Sequence, residues 1–571
     1  MSKACEKICD VLVEAGIDHV FGIPGGGTIP IWDALYDKQD AIKAVLTRHE
    51  QAASCMADMY GRVTGKPGVL MGQGAFVASS GAFGILEAYL SNSPMLVLTD
   101  TSDMGFSQHA SYQSGTGEYG SFDIVGILRS MSKFTTYAVT PEEAVQGVQF
   151  AIKHAVSGRP GPACVVMRSK AVKGEIDPER CPRLYSSEGY LKPSITNPSA
   201  ESLEEAVTLL LEAANPVIIA GNGIHLSKSY GELMTFAELL GAAVATSYKG
   251  LSAFPGVHPL SLGMMGSFGQ PVANSTIADA DLILVAGCHL GPSDTRFDSP
   301  QFIDPHRQKI IQIDVDPRNA GWTYPITTAL IGDVKLTLKQ LIAALGEKAD
   351  RDKATKRISA VEKRKEDESY CQVPEFSSDA APLLPQRIVR EIQDNIDPET
   401  LITLDAGNNR LWMANLFKSQ RAGTVFSPGG VAGMGWGPPA SVAAKLLFPD
   451  RPVLSVVGDG GFAMMLHVLS TAAQYKLPVV FLVMNNSVLG MVHNVQSITQ
   501  RVVATEFADT DYVQIALGCG CNGVRVEKPD ELGPALRNAF KASVPTVLDV
   551  ATERTEPFLK IAQLEDLLRV F

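Results

Sequence analysis

The sequence lacks any run of apolar residues long enough to cross a membrane. A spanning helix needs about 18 or more consecutive apolar residues, and the 571 residues contain no such stretch. The first residues, MSKACEKICDVLVEAG, also lack the basic, apolar and small-residue pattern of a secretory signal. They predict the first helix of a folded domain, and we expect a cytoplasmic protein without a membrane partner.

Positive charge and paired cysteines are scarce as well. The formal net charge is −12 and the isoelectric point is about 5.4, so the chain offers no broad basic surface for nucleic acid or anionic lipid. The nine cysteines are mostly scattered, and the close pair Cys519 and Cys521 has no second pair to complete a metal site. We therefore expect reduced core cysteines and no nucleic-acid partner.

The composition that is present predicts a large globular protein of several domains. Hydrophobic residues make up 45% and charged residues 19%, which is typical of a soluble chain with an extensive core. Two polar stretches, at 173–201 and 346–378, separate apolar-rich blocks at 1–180, 195–345 and 380–571. Each block alternates short apolar runs, such as MLVLTD, DLILVAG and VVFLVMNN, with helix-length segments. This pattern predicts three Rossmann-like α/β domains with parallel sheets.

The strongest motif is GDGGFAMMLHVLSTAAQYKLPVVFLVMNN, at 458–486. Its two ends follow two predicted strands, so Asp459 and Asn486 can meet at one edge of a parallel sheet. A carboxylate, an amide oxygen and a nearby backbone carbonyl suit Mg²⁺, which prefers hard oxygen ligands. The glycines permit a diphosphate to approach the backbone. The alternative is a glycine-rich turn and an unrelated polar turn.

Further motifs occur in the first and third blocks. The stretch RHEQAASCMADMYGRVTGKPGV contains Glu50, although a glutamate early in an amphipathic helix is usually a surface or capping residue. Upstream, Gly26 lies in HVFGIPGGGTIPIWDAL, where consecutive glycines permit close backbone approach. In the third block, DAGNNRLW contains Asn408 and Asn409. The segment SPGGVAGMGWGPPAS contains Met434, for which plain core packing is the alternative.

These motifs, in this order, resemble those of thiamine-diphosphate (ThDP) enzymes of the acetohydroxyacid synthase group, and the resemblance spans nearly the whole chain. It implies a pyrimidine-binding domain at 1–180, a central nucleotide-binding-like domain at 195–345 and a diphosphate- and Mg²⁺-binding domain at 380–571. Glu50 matches the family's catalytic glutamate, and Met434 matches the apolar residue that bends the cofactor. The resemblance assigns the other cofactor contacts to Asn408, Asn409, the Ala432 carbonyl, Gly458, Asp459, Gly460, Gly461, Asn486, Leu489, Gly490 and Met491, and the metal to Asp459, Asn486 and the Val488 carbonyl.

The substrate side departs from the family pattern. In NNSVLGMVHNVQ, Val495 replaces a tryptophan that helps to select the acceptor, and Asn494 replaces the preceding glutamine. The segment GTGEYGSFDIVGILRSMSKF keeps Lys133, a candidate catalytic residue, but has Gly120 where the family has a substrate-contacting glutamine. His109, in the loop before it, is either a proton relay or an ordinary loop histidine. The identities of donor and acceptor therefore stay open.

The activity implied by the resemblance is decarboxylation of a 2-oxo acid followed by carboligation to a carbonyl acceptor, as in acetolactate synthesis. A simple 2-oxo acid decarboxylase, or another carbon–carbon lyase without ligation, is the main alternative. A pyruvate oxidase and a catalytically inactive binding subunit are further alternatives. The resemblance also implies a homodimer or homotetramer with active sites between subunits, and it leaves a regulatory small subunit open.

Whether the protein binds a flavin depends on segments of the middle block. The segment GNGIH, from residue 221, and the carboxylates Asp314 and Asp316 in QIDVDP fit a nucleotide-binding fold, but a short glycine pattern is weak evidence. His289 and Asn319 stand where the family has an arginine and an acidic residue. The sequence thus leaves bound FAD open.

Overall fold

The structure, a computed structural model, describes residues 2–103, 112–192 and 195–558. The described residues form three sheets of six strands, and all pairings between named strands are parallel. The first sheet has the order β2-β1-β3-β4-β6-β5. Its strands are β1 (His19–Gly22), β2 (Lys43–Leu46), β3 (Gly68–Met71), β4 (Met95–Asp100), β5 (Phe134–Ala138) and β6 (Pro162–Met167). The helices of this part are α1 (Ala4–Glu14), α2 (Ile29–Ala34), α3 (Glu50–Thr64), α4 (Gly74–Ser79), α5 (Ala82–Ser91), α6 (Ile124–Ser130), α7 (Pro141–Val156), α8 (Ser169–Lys173) and α9 (Glu188–Leu191).

The second sheet belongs to the middle of the chain and has the order β12-β11-β10-β7-β8-β9. Its strands are β7 (Pro216–Ala220), β8 (Ala243–Thr246), β9 (Ser261–Met264), β10 (Leu282–Ala286), β11 (Lys309–Asp314) and β12 (Thr328–Ile331). The helices are α10 (Ala200–Glu212), α11 (Gly223–Ser227), α12 (Tyr230–Leu240), α13 (Pro271–Asp279), α14 (Val334–Leu345) and α15 (Arg351–Asp367), the last of which leads towards the third sheet.

The third sheet repeats the order of the first sheet, as β14-β13-β15-β16-β18-β17. Its strands are β13 (Leu401–Leu404), β14 (Val425–Phe426), β15 (Val453–Gly458), β16 (Val480–Asn485), β17 (Asn522–Val526) and β18 (Thr546–Ala551). The helices are α16 (Pro385–Asn395), α17 (Asn408–Leu416), α18 (Gly437–Leu447), α19 (Asp459–Ala463), α20 (Val468–Gln474), α21 (Gly490–Ile498), α22 (Tyr512–Gly518) and α23 (Pro529–Lys541).

The central strands are buried on both faces, as their continuous apolar runs predict. Every residue is buried in β4, β10 and β16, for example. Buried side chains from both sides of each sheet complete the cores. The predicted fold class, three α/β domains with parallel sheets, is confirmed. The exact domain limits stay a prediction.

The first and third domains share a continuous apolar core. Helix α3 packs against α18, and one cluster of buried side chains contains Tyr60 and Met56 together with Trp436 and Val442. The two domains are therefore held in a fixed relation, with α3 between their sheets. Within the described ranges, we find no helix with the length and apolar character of a membrane span.

Candidate active site

A cavity of about 360 Å³ opens at the carboxyl ends of β13, β15 and β16. Parallel strands place their carboxyl ends at one edge of the sheet, where ligands of such folds bind. The cavity is lined by every residue of the third domain that the sequence singles out for the cofactor or the metal: Asn408, Asn409, Ala432, Met434, Gly458, Asp459, Gly460, Gly461, Asn486, Val488, Leu489, Gly490 and Met491. The structure thus brings these residues together, while their roles stay a prediction.

Asp459 lies at the floor of this cavity and is only 2% exposed. Strands β15 and β16 pair so that Gly458 lies beside Met484, which sets the two following loops side by side. One carboxylate oxygen of Asp459 accepts hydrogen bonds from the backbone N–H groups of Asn486, at 3.0 Å, and Ser487. Burial raises the pKa of Asp459 to about 6, against the lowering effect of these hydrogen bonds. A buried carboxylate of this kind is stabilised by a bound cation.

The donor set around Asp459 fits Mg²⁺. The candidate ligands are the Asp459 carboxylate, the Asn486 amide oxygen and the Val488 carbonyl, all hard oxygens. Among the described residues no cluster of three or more histidine, cysteine, aspartate or glutamate side chains could hold a metal. An ion held here by one carboxylate leaves coordination positions for phosphate oxygens and water.

Two asparagines of α17 face the same edge but differ in their contacts. The Asn409 amide donates to the carbonyls of Asp405 and Val456, so it ties β13 to β15. The Asn408 amide donates to Asn494 Oδ1 at 2.9 Å, and its own buried Oδ1 has no hydrogen-bond partner within the described part of the chain. The Asn408 Oδ1 therefore has polar capacity left for a ligand.

Met434 lies on the loop between β14 and α18 and reaches across the cavity towards the GDG turn. Its Cε lies 3.3 Å from the position that a Cβ on Gly460 would occupy. The loop is fixed by Asp405, a fully buried residue whose carboxylate accepts from the backbone N–H groups of Gly435 and Gly437 at 2.8–2.9 Å. Burial raises the pKa of Asp405 to about 6 in spite of these bonds. Asp405 was not selected from the sequence, although its place directly after a buried strand was an available signal.

Glu50 is the first residue of α3 and is 9% exposed. His49 caps this helix, since its Nδ1 accepts from the backbone N–H of Gln51. Glu50 is not among the residues that line the cavity of its own chain. The structure therefore places the predicted proton-transfer residue in the first domain, apart from the predicted cofactor contacts of the third domain.

Gly26 occupies a turn that needs its backbone freedom. Its φ is +57°, and an added Cβ would lie 2.9 Å from the Asp100 carboxylate. Asp100, at the end of β4, accepts from the N–H groups of Gly27 and Gly74, so it joins the two glycine loops of the first domain. Asp100 is a second strand-end carboxylate that sequence reasoning did not select.

Lys133, another catalytic candidate, is not among the residues that line the cavity at the strand ends of the third domain. The Lys133 ammonium donates to the carbonyls of Ser157 and Arg159, the latter at 2.6 Å, and burial lowers its pKa to about 8. Arg159 lines a different cavity, between the first and middle domains. His109 lies outside the described residues.

A second cavity, of about 260 Å³, lies between the first and middle domains. Its lining includes Gly223, His289, Asp314 and Asn319, which the sequence linked to a nucleotide, and the basic residues Arg159 and Lys249. The Asp314 carboxylate accepts from the Asn319 amide at 2.6 Å. Burial lowers the pKa of His289 to about 4, so this imidazole is neutral near pH 7.

Comparison with known proteins assigns this sequence to a family. Models of the thiamine pyrophosphate enzymes match in three parts: the N-terminal TPP binding domain at 2–119, the central domain at 203–341 and the C-terminal TPP binding domain at 405–550. A probable acetolactate synthase large subunit of Methanocaldococcus jannaschii is 33% identical, over 97% of this chain and 92% of its own length. The acetolactate synthase large subunit of Corynebacterium glutamicum is 30% identical (94% and 85%), and that of Haemophilus influenzae is 28% identical (97% and 95%). The family predicted from the motifs is confirmed: the chain belongs to the thiamine pyrophosphate enzymes, in the family of the acetolactate synthase large subunits.

Proposed function

We propose that the protein decarboxylates a 2-oxo acid in a ThDP-dependent reaction and joins the remaining unit to a carbonyl acceptor, as acetolactate synthases do. The observation that carries the proposal is the cavity that gathers Asp459, Asn486 and Met434 with the glycine turns at neighbouring strand ends. Such a site suits a metal-anchored diphosphate with a bulky apolar residue above it. The full-length similarity to acetolactate synthase large subunits supports the same activity.

Each residue has a distinct task in this proposal. When bound, ThDP would supply a nucleophilic carbon and an electron sink. Asp459, Asn486 and the Val488 carbonyl would hold Mg²⁺ beside the diphosphate. Met434 would pack against the cofactor, and the Ala432 carbonyl would accept a hydrogen bond from its aminopyrimidine. The Glu50 carboxyl group holds and moves a proton at the pyrimidine ring, as a general acid–base residue.

The proposal requires a second copy of the chain. Glu50 does not line the cavity of its own chain, and apolar side chains near both halves of the site are exposed: Met464 by 54%, Val431 by 41% and Phe76 by 39%. A symmetric interface would bury these side chains. We therefore propose a homodimer or homotetramer in which Glu50 of one copy completes the cavity of another. Because the relatives are named large subunits, the proposal includes a small regulatory subunit as a partner.

The second cavity extends the proposal to a nucleotide cofactor, with FAD as the candidate from the family. Arg159 and Lys249 supply positive charge for phosphates, and the Asp314 carboxylate can accept from a ribose hydroxyl. The backbones at Gly223 and Gly287 lie close together, since an added Cβ on Gly223 would be 2.7 Å from the Gly287 Cα. A flavin absorbance band in the purified protein would establish FAD, and its absence would restrict the proposal to ThDP and Mg²⁺.

The reaction is tested with ThDP, Mg²⁺ and a panel of 2-oxo acids and carbonyl acceptors, with CO₂ release followed beside mass spectrometry of the products. We expect a ligated product. An aldehyde alone would replace the proposal with a simple decarboxylase.

Two matched variants test the site itself. Glu50→Gln should lose turnover but still take up ThDP in calorimetry with Mg²⁺ present, because Glu50 acts on the proton and not on the diphosphate. Asp459→Asn should lose the uptake, because the metal loses its only carboxylate ligand. Undiminished turnover in Glu50→Gln, or undiminished ThDP uptake in Asp459→Asn, would contradict the assignment.

A further inference from the structure

The loop that carries Met434 is held by a side chain of the other domain. Glu87, on α5 of the first domain, accepts three backbone hydrogen bonds from this loop. Its Oε1 accepts from the N–H groups of Gly429 and Gly430, each at 2.9 Å, and its Oε2 accepts from that of Ala432 at 3.0 Å. Both carboxylate oxygens thus bind the segment directly before Met434.

The same carboxylate belongs to a buried ionic network that also holds the ends of the loop. Arg62, on α3, donates to Glu87 at 2.6 Å and to the Ser427 carbonyl at 2.8 Å. Arg62 also pairs with Asp58, whose carboxylate accepts from the Trp436 indole at 2.8 Å. Side chains of the first domain therefore hold this loop at its start, in its middle and at Trp436, in addition to the contacts that Asp405 and Arg410 of the third domain make with it.

Burial makes these contacts strong and directional. Glu87 is 0% exposed and Arg62 is 6% exposed. Burial by itself raises the pKa of Glu87, but the Arg62 charge and the three loop N–H groups more than offset it and lower the pKa to about 2. Glu87 is thus ionised throughout the neutral range, and hydrogen bonds to a buried charge are among the stronger ones in proteins.

One residue of this loop has an unfavourable backbone conformation: Ala432, two residues before Met434, has a φ of +56°. A residue with a side chain rarely adopts this conformation unless the surroundings impose it. The bond from the Ala432 N–H to Glu87 fixes the residue whose carbonyl is the proposed contact to the aminopyrimidine.

We propose that Glu87 is a positioning residue for cofactor activation, which sets the places of the Ala432 carbonyl and Met434 by holding their loop from the first domain. This inference rests on the proposed function. It implies that loss of the Glu87 charge reduces activation of bound ThDP and leaves the diphosphate anchor at Asp459 intact, because Glu87 is not among the residues that line the cavity.

The test compares Glu87→Gln with the wild type and with Glu142→Gln. Glu142 is a matched control, since it is 1% exposed, lies in the same domain on α7, and accepts a backbone N–H from Asp177 away from the loop. In Glu87→Gln, Arg62 keeps its partner Asp58, which favours folding of the variant. The two measurements are amide hydrogen exchange of the cofactor-free protein and the rate at which bound ThDP exchanges its C2 proton with solvent.

We expect faster amide exchange at Gly429, Gly430 and Ala432 in Glu87→Gln, and C2 proton exchange slowed by about 10-fold or more, since a displacement on the scale of 1 Å costs up to about 10²-fold in rate. The affinity for ThDP should change much less, and Glu142→Gln should behave as the wild type. A folded Glu87→Gln protein with wild-type exchange at the loop or at C2 would overturn the inference.

A measurement on the wild type keeps the inference testable if the variant does not fold. The three amides should exchange slowly although their segment is neither helix nor strand, and rapid exchange at them would overturn the inference. Failure of the wild type to bind ThDP would instead overturn the proposed function, so the two failures are distinguishable.

Discussion

Asp405 shows how a single buried carboxylate can make the stability of the folded protein depend on pH. It is fully buried, and burial raises its pKa from 3.8 to about 6. The folded state therefore binds this proton more tightly than the unfolded state does. The associated stability is fully present below about pH 4 and is lost as the pH rises through about 6.

We therefore predict that the stability advantage of the wild type over Asp405→Asn shrinks as the pH rises from 4 to 7. The change should be about 3 kcal/mol, from a pKa difference of about 2 units at about 1.4 kcal/mol each. Denaturant or thermal unfolding of both proteins across this range measures it. A difference that stays constant, or grows with pH, would show that Asp405 keeps its charge in the folded state at pH 5.

Residues differ in how far the sequence could predict them. The proximity of Asp459 and Asn486 was predictable from physical reasoning, because both follow continuous apolar runs that end at one sheet edge. The role of Glu50 stays a prediction from the resemblance alone, because its position at the start of a helix is also that of an ordinary capping residue. Glu87 carried no signal at all, since its partners are backbone amides more than 300 residues away in the chain.

Strands and helices also differ in how far the sequence could predict them. The central strands were predictable because burial on both faces demands continuous apolar runs. The edge strands β2, β5 and β17 are largely exposed or only partly buried, so their sequences lack such runs and give no comparable signal. The packing between α3 and α5 was likewise not predictable, because it depends on a close approach of two backbones that only the folded structure displays.

That close approach gives a prediction at Gly84, on α5. An added Cβ at Gly84 would lie 2.4 Å from the Ser54 backbone carbon of α3, so Gly84→Ala must push the two helices apart. We expect a loss of about 1–3 kcal/mol in the free energy of unfolding, as for other overpacked cores, and a lower melting temperature. Gly231→Ala is the control, since Gly231 lies in α12 with no atom within 4 Å of an added Cβ. Equal melting temperatures for the two variants would contradict the close packing of α3 and α5.

At the scale of the whole molecule, the two halves of the active site can come from one chain or from two different chains. Helix α3 carries Glu50 at its first residue, while Asp58 and Arg62 on the same helix hold the Met434 loop of their own chain. If Glu50 serves a neighbouring copy, α3 links two active sites: its first turn acts in one, and its later turns shape the other. Each site would then depend on two copies of this helix.

Mixing two inactive variants decides this arrangement. Glu50→Gln keeps Asp459, and Asp459→Asn keeps Glu50, so a mixed dimer contains one site with both native residues and one site with neither. Random exchange of equal amounts gives mixed dimers in half of the population, and we expect about a quarter of the wild-type activity to return. Each variant refolded alone, at the same total concentration, serves as the control and should stay inactive. If every site were built within one chain, no mixture could contain an intact site. Activity that failed to return, with exchange of subunits verified by mass spectrometry of the intact dimers, would therefore assign Glu50 and Asp459 to the same chain.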